Sequence, residues 1–363
     1  MISKDLVIIG GGPAGLCAAR MAAEAGQSAI LIDRNAKLGG QLIKQTHMFF
    51  GSEKQYAKTR GIDIAKKLLD DVGSYPELIE VWEDATVVGL YPDKVITVLK
   101  QEKYLKIQAK AIIVATGASE KVLAFENNDL PGIYGAGAVQ TLMNVYGVKP
   151  GNKIIMVGSG NIGLIVSYQL MQAGVEVVSL VEASPNIGGY KVHAAKLRRY
   201  GVEINTSCTI KKAIGKEAVE KVVTIKLDEN WNEIPGTEKT YEVDAICIAV
   251  GLTPLTSLLS MIGCEMKYIS ELGGLVPVTN KYHETSIDNI YVCGDSSGIE
   301  EASSAIVEGY LTGLIASSKL GKKHPKFAEL VDDFQSQLEN LRNGPFGAKI
   351  RQGLKKLGGS VDA

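Results

Sequence analysis

Residues 5–15 read Asp5-Leu6-Val7-Ile8-Ile9-Gly10-Gly11-Gly12-Pro13-Ala14-Gly15. The apolar, β-branched run before the glycines predicts a buried parallel strand, and the apolar stretch after them predicts a helix. The spacing of Gly10, Gly12 and Gly15 is typical of a loop whose backbone turns tightly and approaches a diphosphate. The helix start adds free N–H groups and a partial positive charge. The stretch therefore predicts a strand–loop–helix unit that binds the diphosphate of a dinucleotide.

The same pattern occurs again 148 residues later, where the chain reads Lys153-Ile154-Ile155-Met156-Val157-Gly158-Ser159-Gly160-Asn161-Ile162-Gly163. Four glycines of each copy match at equal offsets: Gly10, Gly12, Gly15 and Gly26 with Gly158, Gly160, Gly163 and Gly174. Each copy ends with an acidic residue. Asp33 lies 18 residues after Gly15, and Glu182 lies 19 residues after Gly163. This is near the spacing at which an acid hydrogen-bonds the adenosine ribose. Two copies predict two dinucleotide sites; the alternative is two glycine-rich turns without a ligand.

Composition places the chain among ordinary globular proteins. It has 363 residues, 45% of them hydrophobic and 22% charged, which suggests about two domains. A net charge of −1 gives no reason to expect nucleic acid or an anionic membrane as the main partner. No apolar run reaches the ~18–20 residues of a membrane span. Met1 leads directly into the first strand, so we expect no signal peptide and a cytoplasmic protein.

The cysteines and histidines do not suggest a separate reactive centre. Five cysteines stand at positions 17, 208, 247, 264 and 293, without a CxxC pair. Their odd number argues against a disulfide framework, and we expect small core residues. No cluster has metal-ligand spacing, so no metal site is predicted.

The order of elements predicts an α/β fold with two Rossmann-like three-layer domains, the second inserted into the first. A late strand, 289–293, runs into Gly294-Asp295, and this element fits the first nucleotide better than the second. We therefore expect a first domain over 1–118 and 250–320, a second over 119–249, and a helical tail over 321–363. Helices are predicted near 60–72, 135–146, 300–320, 326–342 and 346–357, and strands over 218–226 and 239–248.

The motifs resemble those of the two-dinucleotide-binding flavoproteins, which include thioredoxin reductase and glutathione reductase. The matching segments, spread over roughly 1–320, are GGGPAG at 10–15, Asp33, GGQ at 39–41, ATG at 115–117, the glycines of 158–163, AVGLTP at 249–254 and CGD at 293–295. The resemblance implies that the first domain binds FAD and the second binds NAD(P).

A closer resemblance is to the alpha subunits of bacterial amine and imino-acid oxidising complexes, such as sarcosine oxidase, opine oxidase and dye-linked proline dehydrogenase. The segments that carry it are 115–118, 128–133, 137–141, 146–151 and 189–199. This chain differs from these relatives in two ways. Thioredoxin reductases have a redox CxxC pair that this chain lacks, and many of the closer relatives have a C-terminal cysteine-rich segment for an iron–sulfur cluster. The chain has no cysteine after Cys293, so any cluster must lie on another polypeptide.

The residues and the resemblance together predict a set of cofactor-binding residues. These are Gly10, Gly12, Pro13, Ala14, Gly15, Asp33, Arg34, Gly40, Gln41, Thr116, Gly117, Gly158, Gly160, Asn161, Ile162, Gly163, Glu182, Gly251, Gly294 and Asp295. The charge of Glu182 would repel a 2′-phosphate, so we expect NAD(H) rather than NADP(H) in the second site. No catalytic residue is assigned; His47 is either a proton donor near the flavin or a solvated loop residue.

The expected function is that of an FAD-dependent oxidoreductase with a second, NAD-type site, in which the flavin performs the difficult chemistry. The resemblance implies the electron-transferring alpha-like subunit of an amino-acid or amine dehydrogenase complex, in an oligomer with a second flavoprotein subunit or a small iron–sulfur protein. Two alternatives stay open: a free-standing NAD(P)H-dependent reductase of a small electron carrier, and a non-catalytic nucleotide-binding subunit. The apolar spacing of the tail suits a helix packed on a partner or on its own domain.

Overall fold

A computed structural model of the protein describes residues 1–345 and 347–358. The helices in these residues are α1 (Pro13–Glu24), α2 (Gly61–Gly73), α3 (Ala136–Asn144), α4 (Asn161–Gln172), α5 (Lys191–Arg199), α6 (Ser257–Ile262), α7 (Ala302–Lys319), α8 (Phe327–Arg342) and α9 (Ala348–Leu357).

The strands in the same residues are β1 (Ile2–Ile9), β2 (Ala29–Ile32), β3 (Ile79–Trp82), β4 (Ala85–Leu90), β5 (Val95–Lys100), β6 (Lys103–Val114), β7 (Ala118–Glu120), β8 (Ile133–Gly135), β9 (Lys153–Val157), β10 (Glu176–Glu182), β11 (Ile204–Thr206), β12 (Cys208–Ile214), β13 (Lys221–Lys226), β14 (Lys239–Glu242), β15 (Ala245–Ile248), β16 (Leu252–Pro254), β17 (Met266–Ile269), β18 (Gly274–Pro277) and β19 (Ile290–Val292).

The chain divides into two compact units. The first contains Met1–Ser119 and the chain from Thr253 onward, and the second is the continuous segment Glu120–Leu252. The chain therefore leaves the first unit once and returns to it. The described part of the tail belongs to the first unit and does not form a separate body.

The first unit is built on a sheet with the strand order β3-β2-β1-β6-β5-β4, and β19 also pairs with β6. Strands β1, β2, β3, β6 and β19 pair in parallel, whereas β4 and β5 pair antiparallel to their neighbours. Strand β1 lies between β2 and β6, so the loop that follows β1 lies where the strand order reverses. The pairing of β19 with β6 confirms that the chain returns to the first sheet after an insertion.

Helices α1 and α7 pack closely on one face of this sheet because α7 carries glycine at two contact positions. A Cβ at Gly309 would lie 2.2 Å from the carbonyl oxygen of Ala14, and one at Gly313 would lie 2.3 Å from that of Ala18. Leu6 and Ile8 of β1 are buried on the side of these helices. Val7 and Ile9 are buried on the opposite side. Strand β1 is thus covered on both faces, as its unbroken apolar run predicted.

The second unit repeats this arrangement with a five-stranded parallel sheet of order β11-β10-β9-β15-β8. Strand β9 lies between β10 and β15, so the second glycine loop also follows a strand where the order reverses. A separate antiparallel sheet contains β12, β13 and β14.

One strand prediction in the second unit was wrong. Residues 239–248 form two strands in different sheets, β14 and β15, instead of one. The break is at Asp244, whose carboxylate accepts hydrogen bonds from the backbone N–H groups of Asn152 at 2.8 Å and Lys153 at 2.9 Å. These bonds anchor the start of β15 beside β9, whereas β14 pairs with β13 in the other sheet.

The apolar face of the tail packs on its own unit. Val331, Phe334 and Leu338 of α8 are buried in the same core as α1 and α7. Leu357 of α9 is buried with Leu272. Of the two possibilities left open by the sequence, the structure shows the contact with the chain's own first unit. Residue 346 of the predicted last helix and residues 359–363 of the tail lie outside the described residues. In the described ranges, no helix combines the length and apolarity needed to cross a membrane.

Candidate functional site

The first glycine loop joins β1 to α1, and its glycines serve different purposes. Gly10 has φ +111°, and a Cβ there would lie 2.2 Å from the carbonyl oxygen of Ala115. A Cβ at Gly15 would lie 1.8 Å from the carbonyl oxygen of Gly10. The nearest atom to a Cβ at Gly12 is the Gly40 Cα, at 3.9 Å. The outer glycines are thus required by packing, and the middle one leaves space at the start of α1, where a diphosphate can approach the backbone.

The second glycine loop, between β9 and α4, reproduces this geometry. Gly158 has φ +100°, and its Cβ would lie 2.3 Å from the carbonyl oxygen of Ala249. A Cβ at Gly163 would lie 2.0 Å from the carbonyl oxygen of Gly158, while nothing lies within 4 Å of one at Gly160. Asn161 and the exposed Ile162 open helix α4 directly after this space. The second loop therefore has the same kind of cradle as the first.

The acids at the ends of β2 and β10 are bound to these loops. Asp33 accepts hydrogen bonds from the backbone N–H of Gly11 at 2.6 Å and from that of Asn35 at 2.7 Å. Glu182 accepts from the backbone N–H of Ser159 at 2.8 Å and from its hydroxyl at 2.6 Å. Each carboxylate is thereby fixed beside its glycine loop, on the side where the ribose of a bound dinucleotide is expected.

The duplication extends further than the sequence analysis recognised. Gly39-Gly40 follow Asp33 after six residues, and Gly188-Gly189 follow Glu182 after six residues. The Gly39 N–H donates to the Gly11 carbonyl at 2.8 Å, and the Gly189 N–H donates to the Ser159 carbonyl at 2.8 Å. The equal spacing was the signal that could have revealed the second pair. A pair of adjacent glycines thus lies against each of the two glycine loops.

The glycine pairs permit a close backbone approach. A Cβ at Gly40 would lie 2.7 Å from the Gly12 Cα, and one at Gly189 would lie 2.8 Å from the Asn161 backbone nitrogen. In the second unit, the Asn161 side-chain oxygen also accepts the Tyr190 backbone N–H at 2.8 Å, directly before α5. These contacts leave no room for a side chain at either position.

Two further loops of the first unit contain predicted site residues. The turn after β19 lies against α1, because a Cβ at Gly294 would be 2.9 Å from the Ala14 Cβ. The structure thereby brings the Gly294-Asp295 turn to the first glycine loop. After β6, the Thr116 hydroxyl donates to the Leu255 carbonyl at 2.7 Å, and Gly117 has φ +73°.

The remaining predicted residues lie at the surface or in the second unit. Arg34 and Gln41 are exposed, the former directly after Asp33 and the latter in a 3₁₀ turn over Gly40–Lys44. Gly251 lies in the second unit, where its carbonyl accepts the Lys121 N–H at 3.0 Å. His47 is half-buried, and its ring stacks on that of Phe49 with centroids 5.9 Å apart.

Burial keeps the thiols in their neutral form. All five cysteines are buried and free. Burial raises the pKa of the Cys17 thiol to about 12 and raises the pKa of Cys247 and Cys293 further above the usual range. A thiolate is the reactive form of cysteine, so these residues are suited to packing. In the part of the chain that the structure describes, no group of three or more His, Cys, Asp or Glu side chains could hold a metal ion.

Two units, each with a glycine loop and an acid next to parallel strands whose order reverses, define the class of two-dinucleotide-binding α/β proteins. The chain belongs to the pyridine nucleotide-disulphide oxidoreductase family, whose model matches residues 4–309. It is therefore an oxidoreductase, and its family implies binding of FAD and of a pyridine nucleotide. The resemblance stated from the motifs is confirmed.

Similar proteins include components of larger enzymes. The chain is 26% identical to an opine oxidase subunit of Agrobacterium tumefaciens (strain Ach5), over 87% of this chain and 66% of the relative. It is 25% identical to the alpha subunit of sarcosine oxidase of Corynebacterium sp. (strain P-1), over 88% of this chain and 33% of the relative. The crystal structure of L-proline dehydrogenase from P. horikoshii matches with a TM-score of 0.69 and 25% identity, covering 93% of this chain and 59% of that chain. The chain thus spans only part of each of these proteins.

Proposed function

We propose that this chain is the FAD- and NAD-binding, electron-transferring alpha-like subunit of an amino-acid or amine dehydrogenase complex. The observation that carries the proposal is the complete duplication of an acid-closed glycine loop, one per unit, in a chain similar to proteins named as oxidase subunits. Two cradles are needed if electrons pass between two bound cofactors.

In this proposal the first unit holds FAD, which supplies two-electron chemistry when it is bound. The open face of Gly12 and the start of α1 receive the diphosphate, and Asp33 accepts hydrogen bonds from the ribose. The Gly294-Asp295 turn lies against the same end of α1, so Asp295 would be the second carboxylate of the first unit near the bound FAD.

The second unit holds NAD(H) in the equivalent place. Gly160 leaves the space for the diphosphate, and Glu182 is held beside it by Ser159. The three residues after Glu182 are Ala183, Ser184 and Pro185, none of which carries a charge that could neutralise a 2′-phosphate. This combination supports NAD(H) over NADP(H).

The buried thiols support an outlet for electrons on another polypeptide. Disulfide reductases pass electrons through a reactive cysteine pair, and the cysteines here are separated in sequence and buried. We therefore expect a second flavoprotein subunit or a small iron–sulfur protein as the partner.

The test is to purify the chain alone and after co-expression with the genes that neighbour its own, at matched FAD content. Oxidation of amino acids and secondary amines is then measured with an artificial dye as electron acceptor. We expect no useful turnover by the chain alone, and turnover by a mixed oligomer that contains it. Rapid reduction of FAD by NADH, with turnover of a small carrier by the isolated chain, would instead establish a free-standing reductase. A bound adenine nucleotide without any flavin would indicate a non-catalytic subunit.

A further inference from the structure

A buried arginine at the end of the tail helix α8 joins two carboxylates of the first unit. The Arg342 guanidinium lies 2.8 Å from a Glu300 oxygen and 2.7 Å from a Glu308 oxygen. The three side chains are 15%, 9% and 3% exposed, in the order Arg342, Glu300, Glu308. Such a pair in the interior needs both partners, since an unpaired buried charge is strongly unfavourable.

The second oxygen of Glu308 reaches the turn that we assign to FAD. It accepts the backbone N–H of Gly294 at 2.8 Å and the hydroxyl of Ser297 at 2.9 Å. Gly294 has φ +69° and lies against Ala14 at the start of α1. Arg342 therefore contacts Glu308, and Glu308 in turn contacts the Gly294-Asp295 turn beside the first glycine loop.

Arg342 is the cation that neutralises the buried carboxylates of Glu300 and Glu308, and we call these three residues the Arg342 cluster. Asp295 and Glu300 add further carboxylates near Glu308, and the buried thiol of Cys293 also lies nearby. His283 lies close to Arg342 and Glu300, and burial lowers its pKa to about 4, so it is neutral near pH 7. Without Arg342, Glu308 would be a buried carboxylate with no cation beside it, and it would turn toward water, which breaks its bond to the Gly294 N–H.

We propose that Arg342 is a positioning residue for the flavin site: it holds Glu308 in place, and Glu308 fixes the Gly294-Asp295 turn. The inference rests on the FAD role assigned to that turn under the proposed function. It makes docking of α8 and binding of FAD mutually reinforcing, because each stabilises the same turn.

The experiment compares full-length Arg342→Met, Arg342→Lys and Asp333→Asn variants. Asp333 lies on the same helix but pairs with the exposed Lys54, and it serves as the matched control. FAD affinity is measured by flavin fluorescence titration of the apo-proteins, and backbone order by hydrogen exchange of residues 293–297. We expect Arg342→Met to weaken FAD binding about tenfold or more, the equivalent of about one charge-assisted hydrogen bond. Exchange of the turn should accelerate while that of β1 and β6 is unchanged, Arg342→Lys should recover most of the affinity, and Asp333→Asn should match the wild type.

A pH series separates positioning from a general loss of structure. In Arg342→Met, the carboxylates of Glu300 and Glu308 lose their cation and take up protons at higher pH than in the wild type. Protonation removes the unpaired charge, so the ratio of the FAD dissociation constants, variant to wild type, should shrink as pH falls from about 8 to about 5.5. Asp295 titrates in both proteins, which is why the ratio is used. A ratio that is constant with pH would overturn the positioning role.

An Asp295→Ala variant distinguishes failure of this inference from failure of the proposed function. If Asp295→Ala loses FAD affinity and Arg342→Met keeps both affinity and slow exchange, the Arg342 inference is wrong and the flavin assignment stands. If both variants bind FAD like the wild type, the assignment of the Gly294-Asp295 turn to the FAD site is wrong. Should Arg342→Met not fold, Glu308→Gln takes its place, and wild-type FAD affinity together with wild-type exchange of the turn in that variant would overturn the inference.

Discussion

Asp295 lies in the turn after β19, where burial, with the carboxylates of Glu308 and Glu300, raises its pKa from 3.8 to about 7. In the unfolded chain the carboxyl ionises near the lower value, so the folded apo-protein loses stability as pH rises from about 4 to about 7. Above that range the loss is complete and constant. A buried carboxyl group beside two other carboxylates lowers the unfolding free energy near pH 7, and residues that do so are typically retained for binding.

We therefore predict that Asp295→Asn stabilises the apo-protein and weakens its binding of FAD. The gain in unfolding free energy should increase from about pH 4 to pH 7 and reach roughly 2 kcal/mol or more, since one pKa unit corresponds to about 1.4 kcal/mol. Urea denaturation of both apo-proteins at several pH values measures the gain, and flavin titration measures the affinity. A stability difference that is independent of pH would show that Asp295 does not titrate in this way.

Glu182 is the residue on which nucleotide preference depends. Its carboxylate is held by Ser159 and by the backbone N–H of Ser184 at 2.8 Å, so it has little freedom to move away from a 2′-phosphate. We predict that NADH binds at least about tenfold more tightly than NADPH, about 1.4 kcal/mol, and that Glu182→Gln reduces this preference. Calorimetric titration of the two nucleotides provides the measurement. Glu176→Gln, at the exposed start of the same strand, is the control, and equal affinities for NADH and NADPH in the wild type would contradict the assignment.

Among the elements, the contact between α1 and α7 depends on glycines that sequence periodicity could not interpret. The segment of small residues from about Glu300 to Leu320 was predicted as a helix, and α7 is found over Ala302–Lys319. The pattern alone does not show that Gly309 and Gly313 face the backbone of α1, because that contact joins segments almost 300 residues apart. Helix α1 carries the first glycine loop, so the closeness of this contact sets the position of the loop.

We predict that Gly309→Ala and Gly313→Ala each destabilise the protein by about 1–3 kcal/mol, the usual cost of overpacking a core. Because the new methyl group pushes on Ala14 or Ala18 of α1, FAD affinity should fall as well. Gly73→Ala, at the end of α2, is the matched control, since a Cβ there meets nothing within 4 Å. It should be neutral or slightly stabilising. Thermal unfolding measures the stability, and flavin titration measures the FAD affinity. Wild-type stability and affinity in Gly309→Ala and Gly313→Ala would contradict the close contact between α1 and α7.

The elements also show where sequence reasoning ended. The helices of the tail were predicted from their apolar spacing, and α8 and α9 are found close to the predicted ranges. The division of 239–248 into two strands was not, because a single residue, Asp244, redirects the chain through bonds to a distant segment. The Arg342 cluster was also missed, since an arginine at a helix end is ordinary in sequence and acquires its role only from Glu300 and Glu308.

For the whole molecule, the insertion could be predicted because the motifs occur in an order that a single continuous domain does not explain. The strand that leads into Gly294-Asp295 follows the second unit in sequence but pairs with β6 of the first sheet. Each unit also has its own cores on the two faces of its own main sheet. The second unit is continuous in sequence, whereas the first needs two separated segments to complete its sheet and its glycine-loop contacts.

This asymmetry gives a prediction about fragments. Residues 120–252 expressed alone should fold cooperatively and bind NADH with nearly the affinity of the full chain, because their sheet, cores and glycine loop are complete. Residues 1–119 alone should not fold, because they lack β19 and α7, which pair with β6 and pack on α1. A chain that joins 1–119 to 253–363 by a short glycine–serine linker should recover FAD binding, since the Leu255 N–H donates to the Gly117 carbonyl at 2.9 Å and brings the two ends together. Circular dichroism, urea titration and ligand titration of the three proteins provide the measurements. A folded 1–119 fragment, or a joined chain that folds but binds no FAD, would show that the first unit is not assembled from these two segments in the way its contacts indicate.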